Sequence, residues 1–171
     1  MSCCWLLLAA LEAGAPLARE PAARSELVWR PLLIQNVITF SSPHVTAGGV
    51  GGGGGIQLEY HGRYLAQADV SLLFSAGNAL ATRFALGLTR GGTWAPAGWL
   101  SYGALWGDRL EFITGNEGRP VIPTWAVGVR GSALRFRQDF GVVSLLELGA
   151  GSNFAGGVWL DVTILQAAVT F

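Results

Sequence analysis

The chain has 171 residues, enough for one domain with a core of its own. It is 51% hydrophobic but only 13% charged, well below the ~25% of a typical soluble domain. Eleven arginines, no lysine and eleven acids give a net charge of zero, so nothing in the charge balance points to a nucleic-acid surface. No stretch reaches the ~18 consecutive apolar residues of a spanning helix. A chain this apolar must therefore bury an unusual share of itself or place apolar surface against lipid. Strand backbones in hydrocarbon are satisfied only in a closed barrel.

Residues 1–18 read as an export signal: the apolar run Cys3–Leu11 is followed by small residues to Ala18. Two features depart from that pattern, since no basic residue precedes the run and Glu12 interrupts its end. Residues 19–25 form a polar linker. Cys3 and Cys4 are the chain's two cysteines, so everything after them lacks disulfides, thiolate metal sites and a cysteine nucleophile.

From residue 26 onward the chain breaks into eight segments of strand length. In the first, 26–41, Leu32, Ile34, Ile38 and Phe40 share a face that Asn36 interrupts, and Pro31 belongs near the strand start. Ser41–Val50 reads as a loop, with Gly51–Gly55 leading into the second strand. Ile56, Leu58 and Tyr60 then alternate with Gln57, Glu59 and His61. After a tight His61-Gly62-Arg63 turn, Tyr64, Ala66, Ala68, Val70, Leu72 and Phe74 alternate with Gln67, Asp69 and Ser71. Period two held on both sides of a turn is a hairpin signal.

The fourth segment, after Ala76-Gly77-Asn78, sets Thr82, Phe84, Leu86 and Leu88 against Arg83, Ala85, Gly87 and Thr89. A turn at Gly91–Gly98 leads to the fifth. There Leu100, Tyr102, Ala104, Trp106, Leu110 and Phe112 oppose Ser101, Gly103, Gly107, Arg109 and Glu111, and Asp108 predicts a bulge or a split. Gly115–Pro120 is a loop. The sixth segment sets Trp125, Val127 and Val129 against Ala126, Gly128, Arg130 and Ser132, then slips phase before Leu134 and Phe136. A turn at Gln138-Asp139 precedes the seventh segment, Phe140 to about Gly149. The eighth follows Gly151–Gly156. In it Val158, Leu160 and Val162 alternate with Trp159, Asp161 and Thr163, with a phase slip near Ile164 before Leu165, Ala167, Val169 and Phe171.

Aromatics mark the segment ends. Tyr60, Tyr64, Trp94, Trp99, Phe136, Phe140 and Phe171 fall at one level, and Phe40, Phe74, Phe112, Trp125 and Trp159 at the other, as two interfacial belts would. Periodicity alone does not say which face is wet, because a soluble lipocalin-like barrel has the same alternation with reversed polarity. Composition favours lipid outside. The polar face is mostly Gly, Ala, Ser, Thr and Gln, which suits the crowded interior of an eight-stranded barrel. Its charges, Glu59, Asp69, Arg83, Arg109, Glu111, Arg130, Glu147 and Asp161, are expected to pair across the lumen, chiefly around Arg83, Arg109 and Arg130. Arginine suits this role because its planar fork bridges two carboxylates.

The eight dyad segments, the belts and a last strand ending in Phe171 resemble the small outer-membrane barrels of the OmpA/OmpX kind, over about residues 26–171. The resemblance implies an all-β, eight-stranded, antiparallel up-and-down transmembrane barrel in the bacterial outer membrane of a Gram-negative envelope. It also implies periplasmic termini and short turns, and Phe171 as the signal read by the barrel-assembly machinery. Two connections fit that scheme poorly: 77–79 is short for an outer loop, and 91–98 is long for a periplasmic turn. Arg63, Arg90, Arg135 and Arg137 would gather on the periplasmic side as interfacial anchors.

The lipid A deacylases and palmitoyltransferases share this barrel, and resemblance to them implies a histidine working with a serine and an acid. The deacylase pattern His-x-Ser-Asn is matched here by Gly149-Ala150-Gly151-Ser152-Asn153, with Ala150 where the base belongs, and a serine without its base is not activated. His44 lies in the first loop and His61 beside a turn on the wrong side. Gly51–Gly55 is not a phosphate loop, because no Lys-Ser/Thr follows. No His, Cys or carboxylate cluster has metal-ligand spacing. The expectation is a barrel without catalytic, cofactor or metal site. Its partners would be outer-membrane lipid, the assembly machinery and other envelope proteins, in a structural, anchoring or accessory role with the lumen filled and no porin function.

Overall fold

A computed structural model describes residues 27–43, 46–74, 78–106 and 124–170. The export signal, the linker, His44, Arg109, Glu111, Phe112 and Phe171, with the bulge expected at Asp108, lie outside the described residues. Eight strands follow in chain order: β1 (Leu27–Ser41), β2 (Thr46–Tyr60), β3 (Tyr64–Phe74), β4 (Asn78–Thr89), β5 (Ala97–Trp106), β6 (Thr124–Gln138), β7 (Gly141–Ser152) and β8 (Val158–Val169). Each pairs antiparallel with the next, and β8 pairs antiparallel with β1, so the sheet is a closed up-and-down barrel.

The alternation in β2 to β6 and β8 sorts side chains as the sequence predicts. Val70, Phe84, Leu86, Leu100 and Val129 are exposed on the outer wall, while Gln57, Glu59, Gln67, Asp69, Arg83 and Arg130 are buried inside. β1 is turned the other way. Leu32, Ile34, Ile38 and Phe40 line the lumen together with Asn36, while Gln35 and Thr39 are exposed on the wall.

The reason for this inversion lies in β2. The expected loop Ser41–Val50 is largely strand, and the glycine run is barrel wall, paired on both sides. Leu32 lies opposite Gly55, Ile34 opposite Gly53, Asn36 opposite Gly51 and Ile38 opposite Gly49. Leu32, Ile34, Asn36 and Ile38 therefore each face a residue with no side chain, and Phe40 faces the small Ala47. A Cβ on Gly51, Gly53 or Gly55 would fall on the backbone carbonyl oxygens of Leu72, Val70 or Ala68 in β3, so β2 and β3 approach too closely there for any side chain.

The expected phase slips are present and belong to one feature. In β6 Ala133 and Leu134 are both exposed between buried Ser132 and Arg135. In β8 Ile164 and Leu165 are both exposed between buried Thr163 and Gln166. β7, between them, does the same at Leu145 and Leu146, and Leu146 takes a left-handed backbone with φ 56°. The register against β1 shifts at Gln35/Asn36, where Ile164 is the extra residue of a bulge. The irregularity thus runs across three neighbouring strands, β6, β7 and β8, and shows as a register shift against β1.

The long 90–96 connection also has a structural cause. β6 extends past the start of β5, and residues 93–95 fill the space beside it. The Arg137 N–H donates to the Thr93 carbonyl at 2.7 Å, the Ala95 N–H to Arg135 at 2.8 Å, and the Trp94 indole N–H to Ala133 at 2.7 Å. Backbone groups of β6 that would otherwise lack a neighbour are satisfied in this way.

Two glycines of the wall should respond differently to substitution. Gly53→Val, which meets β3 backbone and takes the space of Ile34, should destabilise the barrel by at least the ~1–3 kcal/mol typical of overpacking. Gly131→Ala, with open space around it, should be neutral or slightly stabilising. Unfolding in urea, followed by heat-shifted gel migration of the refolded protein, compares the two; equal midpoints would refute the close-approach account.

Candidate functional site: the filled lumen

The lumen is stratified. At the end away from the chain termini it is apolar: Ile38, Phe40, Ala47, Leu73, Ala79, Ala81, Leu105, Ala126 and Trp159 pack together. The central and termini-side levels hold the buried charges, beside two smaller apolar clusters, Leu32–Ile34–Val142–Ala168 and Leu65–Ala85–Trp99.

The central level is organised by Arg83 on β4. Its Nε donates to Asp69 Oδ1 on the neighbouring β3 at 2.7 Å, and its Nη1 to Asp161 Oδ2 on β8, across the lumen, at 2.5 Å. Thr163 Oγ1 accepts from the same Nη1 at 3.2 Å. Gln67 donates to Asp69 at 2.9 Å and to Gln166 at 3.3 Å, tying β3 to β8 a second time. All of these groups are buried, so each charge depends on the others for compensation. Arg130 lies beside this cluster, its Nη1 at 3.9 Å from Asp161 and its guanidinium 5.4 Å from the centre of the Trp99 ring. Glu147 is buried one rung nearer the termini, and its oxygens take no hydrogen bond.

The termini-side level is built on Glu59. Arg30 Nη1 donates to its Oε2 at 2.8 Å, and Arg137 Nη2 pairs with its Oε1. Arg30 Nε also donates to Thr170 Oγ1 at 3.0 Å. Arg135 is fully buried among neutral acceptors, donating to Thr89 Oγ1 at 2.8 Å, the Ala95 carbonyl at 3.2 Å and Gln57 Oε1 at 3.3 Å.

Of the charges expected inside, Glu59, Asp69, Arg83, Arg130, Glu147 and Asp161 are all buried there, and Asp69, Arg83, Arg130 and Asp161 form one cluster. Arg135 is a correction: it is a lumen residue rather than a surface anchor, because the phase slip at Leu134 turns it inward. Arg137 is partly buried on Glu59, whereas Arg63 and Arg90 are exposed. Arg30 was missed by sequence reasoning; it shares the inward face of β1 with Leu32, and only the inversion of that strand identifies it.

The belt assignment needs three corrections. Phe40, Trp99 and Trp159 point into the lumen. A Cβ on Gly87 would overlap the Trp99 ring and one on Gly103 the Trp159 ring, so both indoles occupy volume that glycines leave free. Tyr60, Tyr64, Phe74, Trp125 and Phe140 are exposed on the wall, and Phe136 is half-buried. Trp94, expected in the belt, is exposed as well, and Trp29 and Trp106 join these residues on the wall.

Ser152 and Asn153 clasp the β7–β8 loop. Ser152 Oγ donates to the Gly157 carbonyl at 2.9 Å and accepts from the Phe154 N–H at 3.0 Å, and Asn153 Oδ1 accepts from Ala155 and Gly157. His61, in the β2–β3 turn, is at the opposite end of the barrel. Among the described residues no group of His, Cys, Asp and Glu could hold a metal ion.

No protein-family model matches the chain, and no curated protein matches it significantly. The fold is similar to the crystal structure of Neisserial surface protein A (NspA), at 8% identity and a TM-score of 0.47, with 85% of this chain and 99% of the other covered.

Replacing Arg83 with Met should cost the ~3–5 kcal/mol expected when one partner of a buried ion cluster is removed, because Asp69 and Asp161 are left uncompensated. Adding Asp69→Asn and Asp161→Asn to that variant should recover a large part of the loss. Denaturant titration of the three proteins checks this; a triple variant no more stable than Arg83→Met alone would show that compensation is not what Arg83 provides.

Proposed function

We propose that this protein is a small integral β-barrel of the bacterial outer membrane, closed to solutes, that serves as a structural, anchoring or accessory element of the envelope. The observation carrying this reading is the polarity of the wall. Arg83, Arg130, Arg135, Glu147 and Asp161 are at most 4% exposed inside, whereas Leu33, Leu86 and Leu100 are 67–68% exposed outside. A soluble barrel needs the reverse, and an exposed apolar surface that continues around a wall marks contact with lipid or partner.

The filled lumen supports a closed barrel rather than a porin. The apolar layer of Phe40, Leu73, Leu105 and Trp159 occupies one end, and the Arg83 cluster the centre. The hydrogen bonding of Ser152, and its distance from His61 along the barrel, favour a loop clasp over a lipid A hydrolase nucleophile. Outer-membrane lipid is then the principal partner, with the assembly machinery during biogenesis and other envelope proteins at the rims. No nucleic acid partner is proposed.

Phe84, halfway along β4 and exposed, gives the test. In lipid, Phe84→Arg should cost about 2–4 kcal/mol; on a water-facing wall it would shift stability by no more than ~0.5 kcal/mol. The wild-type chain should fractionate with outer membranes and migrate faster on gels unless boiled. Recovery in the soluble fraction without detergent, together with a neutral Phe84→Arg, would reject the reading.

A further inference from the structure

Arg130 is the least satisfied group in the lumen. It is 4% exposed, and among the described residues no acceptor lies within hydrogen-bonding distance of its Nε, Nη1 or Nη2. The Nη2 of Arg83 likewise has no protein acceptor. Both arginines line one cavity of about 10 Å³ in the barrel, bounded also by Ser101, Tyr102, Gly103, Ala126, Trp159 and Asp161. Two arginines that are already positioned, one by its Asp69–Asp161 fork and one by the Trp99 ring, thus share one small space and have N–H groups left without a partner among the described residues.

We propose that this cavity is a binding site for a single water molecule, which accepts from Arg130 and Arg83 and donates to Asp161. Three observations select water over other small ligands. The volume matches the ~10–15 Å³ that one water requires. The 3.9 Å between Arg130 Nη1 and Asp161 Oδ2 is too long for a direct hydrogen bond and is the kind of gap that water bridges. The site also presents a carboxylate beside its two cations, so its ligand must donate as well as accept. A halide only accepts, and it would face the Asp161 charge.

Glu147 does not replace the water. It lies opposite Ser132, whereas Arg130 lies opposite Gly149, and its oxygens receive no protein donor. Arg130 is thereby coupled to the Asp69–Arg83–Asp161 cluster through a bound molecule, which extends the ionic network from β3, β4 and β8 to β6. This site does not depend on the membrane reading, because Arg83, Arg130 and Asp161 are buried inside the barrel whichever solvent surrounds the wall.

The test is a crystal structure of the refolded full chain at a resolution that shows ordered water, with a second crystal soaked in sodium bromide and measured at the bromine edge. The expected result is one water-sized peak within hydrogen-bonding distance of Arg130 and Asp161, and no anomalous peak. Arg130→Met should lose the peak while keeping heat-shifted migration. If Arg130→Met does not fold, Ala126→Val, which grows into the cavity, should displace the water with the barrel intact. A bromide peak would replace water with an anion and overturn the proposal. So would Arg130 turned into direct contact with Asp161 or Glu147, or a peak that survives both substitutions.

Discussion

Arg83 is compensated by two carboxylates that no single hairpin could bring together. Asp69 is its cross-strand neighbour on β3, but Asp161 lies on the last strand, 78 residues further along the chain. The arginine is fully desolvated only when β8 has closed onto β1, and before closure the three charges can remain hydrated. The ion cluster therefore adds little attraction to an open sheet and contributes its favourable geometry to the closed one. A buried ion cluster is weak evidence for net stability, because desolvation offsets its attraction. What its geometry does depend on is the order of strands around the ring.

A second constraint is volume. Eight strands enclose a space that side chains just fill, so a large residue on one strand requires a small one facing it. β1 and β2 satisfy this strand against strand, with Leu32, Ile34 and Ile38 facing glycines. The two lumen tryptophans satisfy it one ring at a time, over Gly87 and Gly103. The glycines of β2, with Gly87 and Gly103, are thus explained by packing within the barrel, and the Gly51–Gly55 run needs no nucleotide or flexible-linker reading.

Much of this was legible in the sequence, and the exceptions share a cause. Strands with one polar and one apolar face, such as β3 and β4, show their orientation directly: Asp69 and Arg83 identify the inside, Val70 and Phe84 the outside. β1 is apolar on its inward face and carries Leu33 on the other, so its alternation is visible but its direction is not. Only the glycines of β2, which have no side chains to reveal a face, decide it. Trp159 shares parity with Asp161, so its inward position was readable from that neighbour, but its aromatic type suggested an interface. Arg135 depended on the phase slip. Once Leu134 and Phe136 are placed outside, the residue between them faces the lumen, and the basic run around it concealed this.

The segment 93–95 beside β6 bears on how these molecules can meet one another. A bare run of backbone amides and carbonyls at a rim is an invitation for a neighbouring copy to add itself as an extra strand, and chains that do so grow into ribbons. Here the chain's own fold-back occupies the flank of Arg135–Arg137. Any neighbour approaching that rim meets Trp94 and Arg90 instead, so contacts there must be selected by side-chain chemistry rather than by the generic adhesiveness of polypeptide.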